Sequence, residues 1–207
     1  MPPTPLWPQN PDAPIPQQYQ GLIFDCDGTI VDTMPVHYRA WCQALAPLHI
    51  QFSEERFYAF AGATSPTIVR TLAGEQGVTC DPVAVSRHKE DIYEASLSDL
   101  EPIHSVVAIA RREKGRRQLA IASGGRKLAV RASLAVIHVE DLFDAIVGME
   151  DVTHGKPDPE LFLKAAALIG VAPKNCLVYE DGDLGLEAAR RAGMGCIDVR
   201  PWYLPRT

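Results

Sequence analysis

The sequence predicts an α/β fold, a doubly wound parallel sheet with a helical cap inserted after its first strand. Three observations predict it. Short apolar runs end abruptly in polar residues, helical periodicity separates the later runs, and about ninety mostly helical residues divide the first run from the second.

The first run, GLIFD from Gly21, stops at Asp25. LAIAS follows over Leu119–Ser123, then AIVG from Ala145, CLVYE from Cys176 and CIDV from Cys196. Each is short and nearly continuous in apolar character, as strands buried on both faces of a parallel sheet are. Apolar residues recur at spacings of three and four over Val106–Lys114, Lys127–Leu134, Glu160–Ile169 and Leu184–Ala192, which predicts helices between the strands. Such alternation implies right-handed crossovers and places ligands outside the carboxyl ends of the strands. Upstream, Pro35–Leu48, Glu54–Phe60, Pro66–Gln76 and Pro82–Leu97 also read as helices, too much chain for one crossover. The expected division is a helical cap over 34–100 and a core of 21–33 with 101–207. Residues 1–20 are rich in proline and read as an extended or disordered arm.

Composition excludes several classes. The 207 residues carry 26 acidic against 20 basic side chains, a net charge of -6, and are 46% hydrophobic, so wholesale disorder is excluded. No apolar run approaches the roughly eighteen residues of a membrane span. An acidic chain without a broad basic field is a poor match for nucleic acid. The opening MPPTPLWPQNPDAPIPQQ lacks the basic-then-apolar order of a secretory signal. Cys26, Cys42, Cys80, Cys176 and Cys196 are odd in number without CxxC spacing. Reduced thiols in the cytoplasm, and a monomer, are the expectation.

Polar groups gather at three strand ends: Asp25-Cys26-Asp27-Gly28-Thr29, Ser123-Gly124-Gly125, and Glu180-Asp181 with Asp183 behind. A fourth piece, Lys156-Pro157-Asp158-Pro159, precedes the Glu160 helix. Asp25, Asp27 and Asp181 together make a hard oxygen site of the kind that suits Mg²⁺. A carboxylate attacking a phosphate meets repulsion of about 4 kcal/mol for unit charges 4 Å apart at an effective dielectric of ~20. A metal ion and Lys156 offset it. Ser123 and the free amides of Gly124 and Gly125, aided by the N-terminus of the next helix, are expected to hold phosphate oxygens. The set reads as a phosphoryl-transfer site with an aspartate nucleophile. Taken singly, each piece has a plainer reading: an Asx turn for DxDGT, a helix entry for Ser123, an exposed turn for Lys156-Pro157, helix-end electrostatics for Glu180-Asp181. An EF-hand fails because Gly28 stands fourth rather than sixth, and a phosphate loop ending at Lys156 fails on glycine spacing and on Pro157.

Taken in order, DCDGT, Ser123, Lys156 before Pro157 and Glu180-Asp181 resemble the four motifs of the haloacid dehalogenase superfamily, over about 20 to 200. The tract DCDGTIVDTMPVHYRAW resembles its β-phosphoglucomutase-like subfamily, and within that the small bacterial sugar phosphatases of the fructose-1-phosphate type. The resemblance implies a Rossmann-like core and a Mg²⁺-dependent phosphoric monoester hydrolase that cleaves small sugar phosphates through an aspartyl-phosphate. Asp25 would be the nucleophile and a metal ligand. Asp27 would be the general acid/base and lend the metal its backbone carbonyl. Asp181 would be the third protein ligand, with Glu180 beside it in an outer or variable role. Ser123, Gly124 and Lys156 would bind phosphate, and His37, Trp41 and Lys89 fall where the mutases hold substrate. Asp27 argues against dehalogenation, because a departing chloride needs no proton and a sugar alkoxide does. One departure matters. The mutases carry a phosphate-gripping arginine after a glycine matching Gly62, whereas Gly62-Ala63-Thr64-Ser65-Pro66-Thr67 has no cation and Arg70 comes only later. That favours hydrolysis over the alternatives, a hexose-phosphate mutase or a catalytically silent phosphate-binding protein.

Overall fold

In chain order the elements run β1 (Gly21–Phe24), β2 (Val31–Asp32), α1 (Met34–Leu45), α2 (Glu54–Ala59), α3 (Ser65–Gln76), α4 (Pro82–Ala95), β3 (Glu101–Pro102), α5 (His104–Glu113), β4 (Gln118–Ala122), α6 (Lys127–Val136), β5 (Ala145–Val147), α7 (Glu160–Leu168), β6 (Cys176–Glu180), α8 (Asp183–Arg191) and β7 (Gly195–Asp198). The computed structural model describes residues 10–60 and 64–202. Two units separate: Thr33–Leu100, and a core made of the chain up to Asp32 and from Glu101 onward.

The core unit is a five-stranded sheet in the order β5-β4-β1-β6-β7, with every pairing parallel. All five expected apolar runs are strands of this sheet. Their continuous hydrophobicity follows from burial on both faces. Ile23, Ala120, Ala122, Val147 and Val178 pack with Leu161, Phe162, Ala165 and Ala166 of α7 and Ala188 and Ala189 of α8. Side chains of the alternate register, Leu22, Phe24, Leu119, Ile121 and Tyr179, are equally buried. Phe24 stacks on Tyr179 at 4.7 Å between ring centroids and meets Phe143 edge-on at 5.9 Å. Placing β1 at the centre aligns its end with those of β4 and β6, so three polar strand ends lie side by side.

A two-residue antiparallel ladder joins β2 to β3, Val31 facing Pro102 and Asp32 facing Glu101. It is too short to leave a periodic signal in the sequence.

The inner half of the proline-rich arm packs on the core. Ile15 and Tyr19 are buried. The Arg117 guanidinium donates to the carbonyls of Tyr19 at 2.7 Å and Ile15 at 3.0 Å while pairing with the buried Glu113 carboxylate. Composition predicts only an extended or disordered arm because the anchors are two side chains and two carbonyls, none of which forms a pattern. Residues 1–9 lie outside the described residues.

The helical unit follows its predicted starts. Proline occupies the first turn of α1, α3 and α4, where the missing N–H costs nothing. Ser53 and Asp81 cap α2 and α4 by accepting from Arg56 N and Val83 N. Its own core is Trp41, Leu45, Phe52, Phe57, Ile68, Val69 and Leu72. Residues 61–63, and with them Gly62 and Ala63 of the loop singled out above, lie outside the described residues. Among those described, no helix is long and apolar enough to cross a membrane.

Candidate active site

The chain turns sharply after β1. The Cys26 carbonyl accepts from the amides of Thr29, Ile30 and Val31, and Gly28 N donates to Val31 O at 2.8 Å. Gly28 has φ of +78°, and a Cβ there would stand 2.2 Å from Asp181 Oδ2, so glycine is required twice over. The turn thereby lets Asp181 approach from the end of β6. Thr29, fully buried, donates its hydroxyl to Asp181 Oδ1 at 2.8 Å. Its role lay hidden in the sequence because its partner is 152 positions away.

Carboxylate oxygens of Asp25, Glu180 and Asp181 all come within 4.8 Å of one another. Lys156 reaches across to them, its Nζ 2.5 Å from Asp25 Oδ1 and 2.6 Å from Glu180 Oε2, above the Phe162 ring. Burial alone would depress this lysine, but Asp25 and Glu180 more than offset it and hold it above its ordinary value. Burial and the Asp25 charge push Glu180 up to about 8 and Asp181 up to about 7. If all three carboxylates are ionised, one ammonium leaves two negative charges uncompensated, and the two raised values express that excess. An all-oxygen donor set with that excess fits a hard divalent cation such as Mg²⁺. Glu180, expected beside the metal, thus stands within the gathered carboxylates. It lies folded against α8, accepting from Gly182 N at 3.0 Å, and a Cβ on Gly185 would come 2.1 Å from its Cδ.

Asp27 lies on the other side of the turn, next to the loop that follows β4. Its Oδ2 is 3.6 Å from where a Cβ on Gly125 would be. Ser123 is buried at the start of that loop. Here one expectation needs correction. The Gly125 amide is not free, since it donates to Ser123 Oγ at 3.0 Å, and the first amide of α6, Lys127 N, donates to Glu150 Oε2 at 3.0 Å. The turn closes on its own serine, and a carboxylate from the neighbouring loop caps the helix. Ser123 Oγ accepts there and retains its proton for donation, and Gly124 is exposed to solvent.

A model of the haloacid dehalogenase-like hydrolases matches residues 19–193. The chain belongs to that family. Among relatives of this haloacid dehalogenase-like hydrolase, fructose-1-phosphate phosphatase YqaB of Escherichia coli (strain K12) is 37% identical over 185 residues, 89% of this chain and 98% of that protein. The β-phosphoglucomutase of Bacillus subtilis (strain 168) is 28% identical, over 87% of this chain and 83% of its own. The crystal structure of β-phosphoglucomutase from Clostridium difficile superposes with a TM-score of 0.70 at 22% identity, covering 87% and 84% of the two chains, and shows the shared fold.

In the helical unit of this hydrolase the structure brings His37, Trp41 and Lys89 together. Lys89 Nζ lies 2.9 Å from His37 Nδ1 and 3.1 Å from Glu90 Oε1, over the rings of Trp41 and Tyr93. His37 stacks on Tyr93 with centroids 3.9 Å apart. Lys89 is buried while Arg87, His88, Glu90 and Asp91 around it are exposed, so the charged run is a solvated face with one inward lysine. Trp41 is buried in the core of the unit and seats that lysine.

Burial first, then the Lys89 ammonium, lowers the His37 imidazole from 6.5 to about 3. The neutral ring accepts at Nδ1 and keeps its proton on Nε2. Because the folded value is the lower one, the unfolded chain takes up a proton that the native state refuses. This contribution to stability is therefore complete above pH 6.5 and is lost as the pH falls toward 3. Histidine NMR is expected to find the His37 ring still neutral below pH 6.5, taking up its proton only as the pH nears 3. In Lys89→Met, titration should move to higher pH; an unchanged titration would exclude the lysine as a cause.

Proposed function

We propose that this hydrolase is a Mg²⁺-dependent phosphatase of small sugar phosphates, acting in the cytoplasm through an aspartyl-phosphate on Asp25. The observation that carries it is the meeting of Asp25, Lys156, Glu180 and Asp181 at adjacent strand ends, with Asp27 facing the Ser123–Gly125 loop. The substrate class rests on the likeness to fructose-1-phosphate phosphatase along nearly all of that protein's length.

Asp25, Glu180 and Asp181, with the Asp27 carbonyl, would hold the metal, and Thr29 would fix the orientation of Asp181. When bound, Mg²⁺ supplies positive charge against the carboxylates and the phosphoryl oxygens. Lys156 and Ser123 bind the phosphate, and the Gly124 amide adds a donor. Asp25 attacks phosphorus in line, forming the P–O bond as the ester P–O bond breaks. Asp27 gives its proton to the departing sugar oxygen. Asp27, then a carboxylate, takes a proton from water as that water attacks the phosphoenzyme, which returns Asp25 and releases phosphate. His37, Trp41 and Lys89 would serve the sugar.

The test is phosphate release from a panel of sugar phosphates, with Mg²⁺ and with EDTA. Release from fructose-1-phosphate or a close relative that stops with EDTA is the expected result. Interconversion of hexose phosphates requiring a bisphosphate, without release, would replace this reading with a mutase. No reaction on any ester would leave a silent binding protein.

A further inference from the structure

We propose that Glu160 is a positioning residue that sets the phosphate-binding lysine by pinning the backbone of its loop. The proposal rests on the assignment of Lys156 to phosphate made above. Lys156 sits in a loop with little to hold it by burial, since Thr153, His154 and Gly155 are all exposed. Polar bonds must therefore define its path. Glu160, the first residue of α7, reaches back across the loop. Its two carboxylate oxygens accept from Thr153 N at 2.9 and 3.0 Å, and one accepts from His154 N at 2.9 Å. The His154 imidazole approaches the same carboxylate at 3.4 Å.

The return half of the loop is tied to the same residue. Glu160 N donates to Asp158 Oδ1 at 3.0 Å, and Asp158 N closes a turn onto Gly155 O at 3.0 Å. Lys156 is thus the second residue of a turn fastened on both sides through Glu160. Two positions further along α7, Phe162 carries the lysine ammonium over its ring at 5.2 Å. One helix end thereby fixes where the lysine leaves the backbone and where its charge arrives. Two amides on a bare loop converging on one carboxylate form a charge-assisted pair of bonds, the strong kind. The metal carboxylates, by contrast, stand at the ends of β1 and β6 and meet this loop only through the Lys156 ammonium, whose displacement would leave them more negative.

That separation supplies the test. Glu160→Gln removes the charge, leaves one acceptor oxygen and, in its better orientation, turns an NH₂ toward Thr153 N. Calorimetric titration with inorganic phosphate in the presence of Mg²⁺ should show affinity weaker by about tenfold or more, the scale of a lost bond to a charged group. Titration with Mg²⁺ alone should be unchanged or tighter, and thermal melting will show whether the variant is folded. If it does not fold, Glu160→Asp, which keeps both oxygens and the charge, is expected to fold and to weaken phosphate by a smaller factor. Phosphate affinity equal to wild type in the folded variant overturns the proposal. So does an equal weakening toward phosphate and Mg²⁺, which marks general damage. If Lys156→Met binds phosphate as wild type does, the assignment of the lysine itself falls, and the role given to Glu160 falls with it.

Discussion

Asp25→Asn is expected to abolish turnover and leave the protein folded. The amide cannot attack phosphorus, so activity should fall by about 10⁴-fold or more, the scale on which enzymes lose a covalent nucleophile. Stability should move the other way. Asp25 is one of three carboxylates facing a single ammonium, and its charge helps to drive Glu180 and Asp181 upward. Removing that charge relieves the crowding, while the amide oxygen can still accept from Lys156. Phosphate release and thermal melting, measured on the same preparation without metal, check both halves. Wild-type turnover in this variant would end the aspartyl-phosphate mechanism, and a lower melting temperature would contradict the charge argument.

Lys156→Met is expected to be the most destabilising single change in the site. The lysine side chain is 13% exposed and its two partners less. Its loss strands Asp25 and Glu180 with no cation, and breaking such a buried pair costs about 3–5 kcal/mol. For a chain of this size that corresponds to a fall in melting temperature of about 6–20 °C. The raised value of Lys156 keeps the ammonium charged below its ordinary value of 10.5, and the lysine's own contribution is lost only as the pH rises beyond it. Urea denaturation of Lys156→Met and of Lys156→Met with Glu180→Gln separates charge from packing. The double variant should recover much of the loss. No recovery would place the cost in the ammonium's contacts with Asp25 and the Phe162 ring rather than with Glu180.

The convergence of the candidate groups was legible in the sequence because parallel strands expose their ends to one side. An acid that interrupts an apolar run, as Asp25 and Glu180 do, announces both a strand end and a site. The helices were legible for a similar reason, through proline in their first turns and periodic apolar residues. Features that depend on distant partners left no pattern of their own. Thr29 needs Asp181 and the arm needs Arg117, while His37 and Lys89, which need each other, were named only through the family resemblance. The Ser123 loop shows a subtler limit. Its residue types suggested two free amides, and only coordinates could reveal that one of them is spent on the serine itself.

The short β2–β3 ladder has a consequence for how such a molecule diversifies. The chain departs from the core at Asp32 and re-enters at Glu101, and these two residues face each other as ladder partners. The chain between them leaves and rejoins the core unit through that ladder. A replacement of different length or sequence needs only matching ends to leave the register of the sheet, and hence the chemical groups, undisturbed. Evolution or an engineer can therefore exchange the helical unit as a cassette while the register of the sheet is kept.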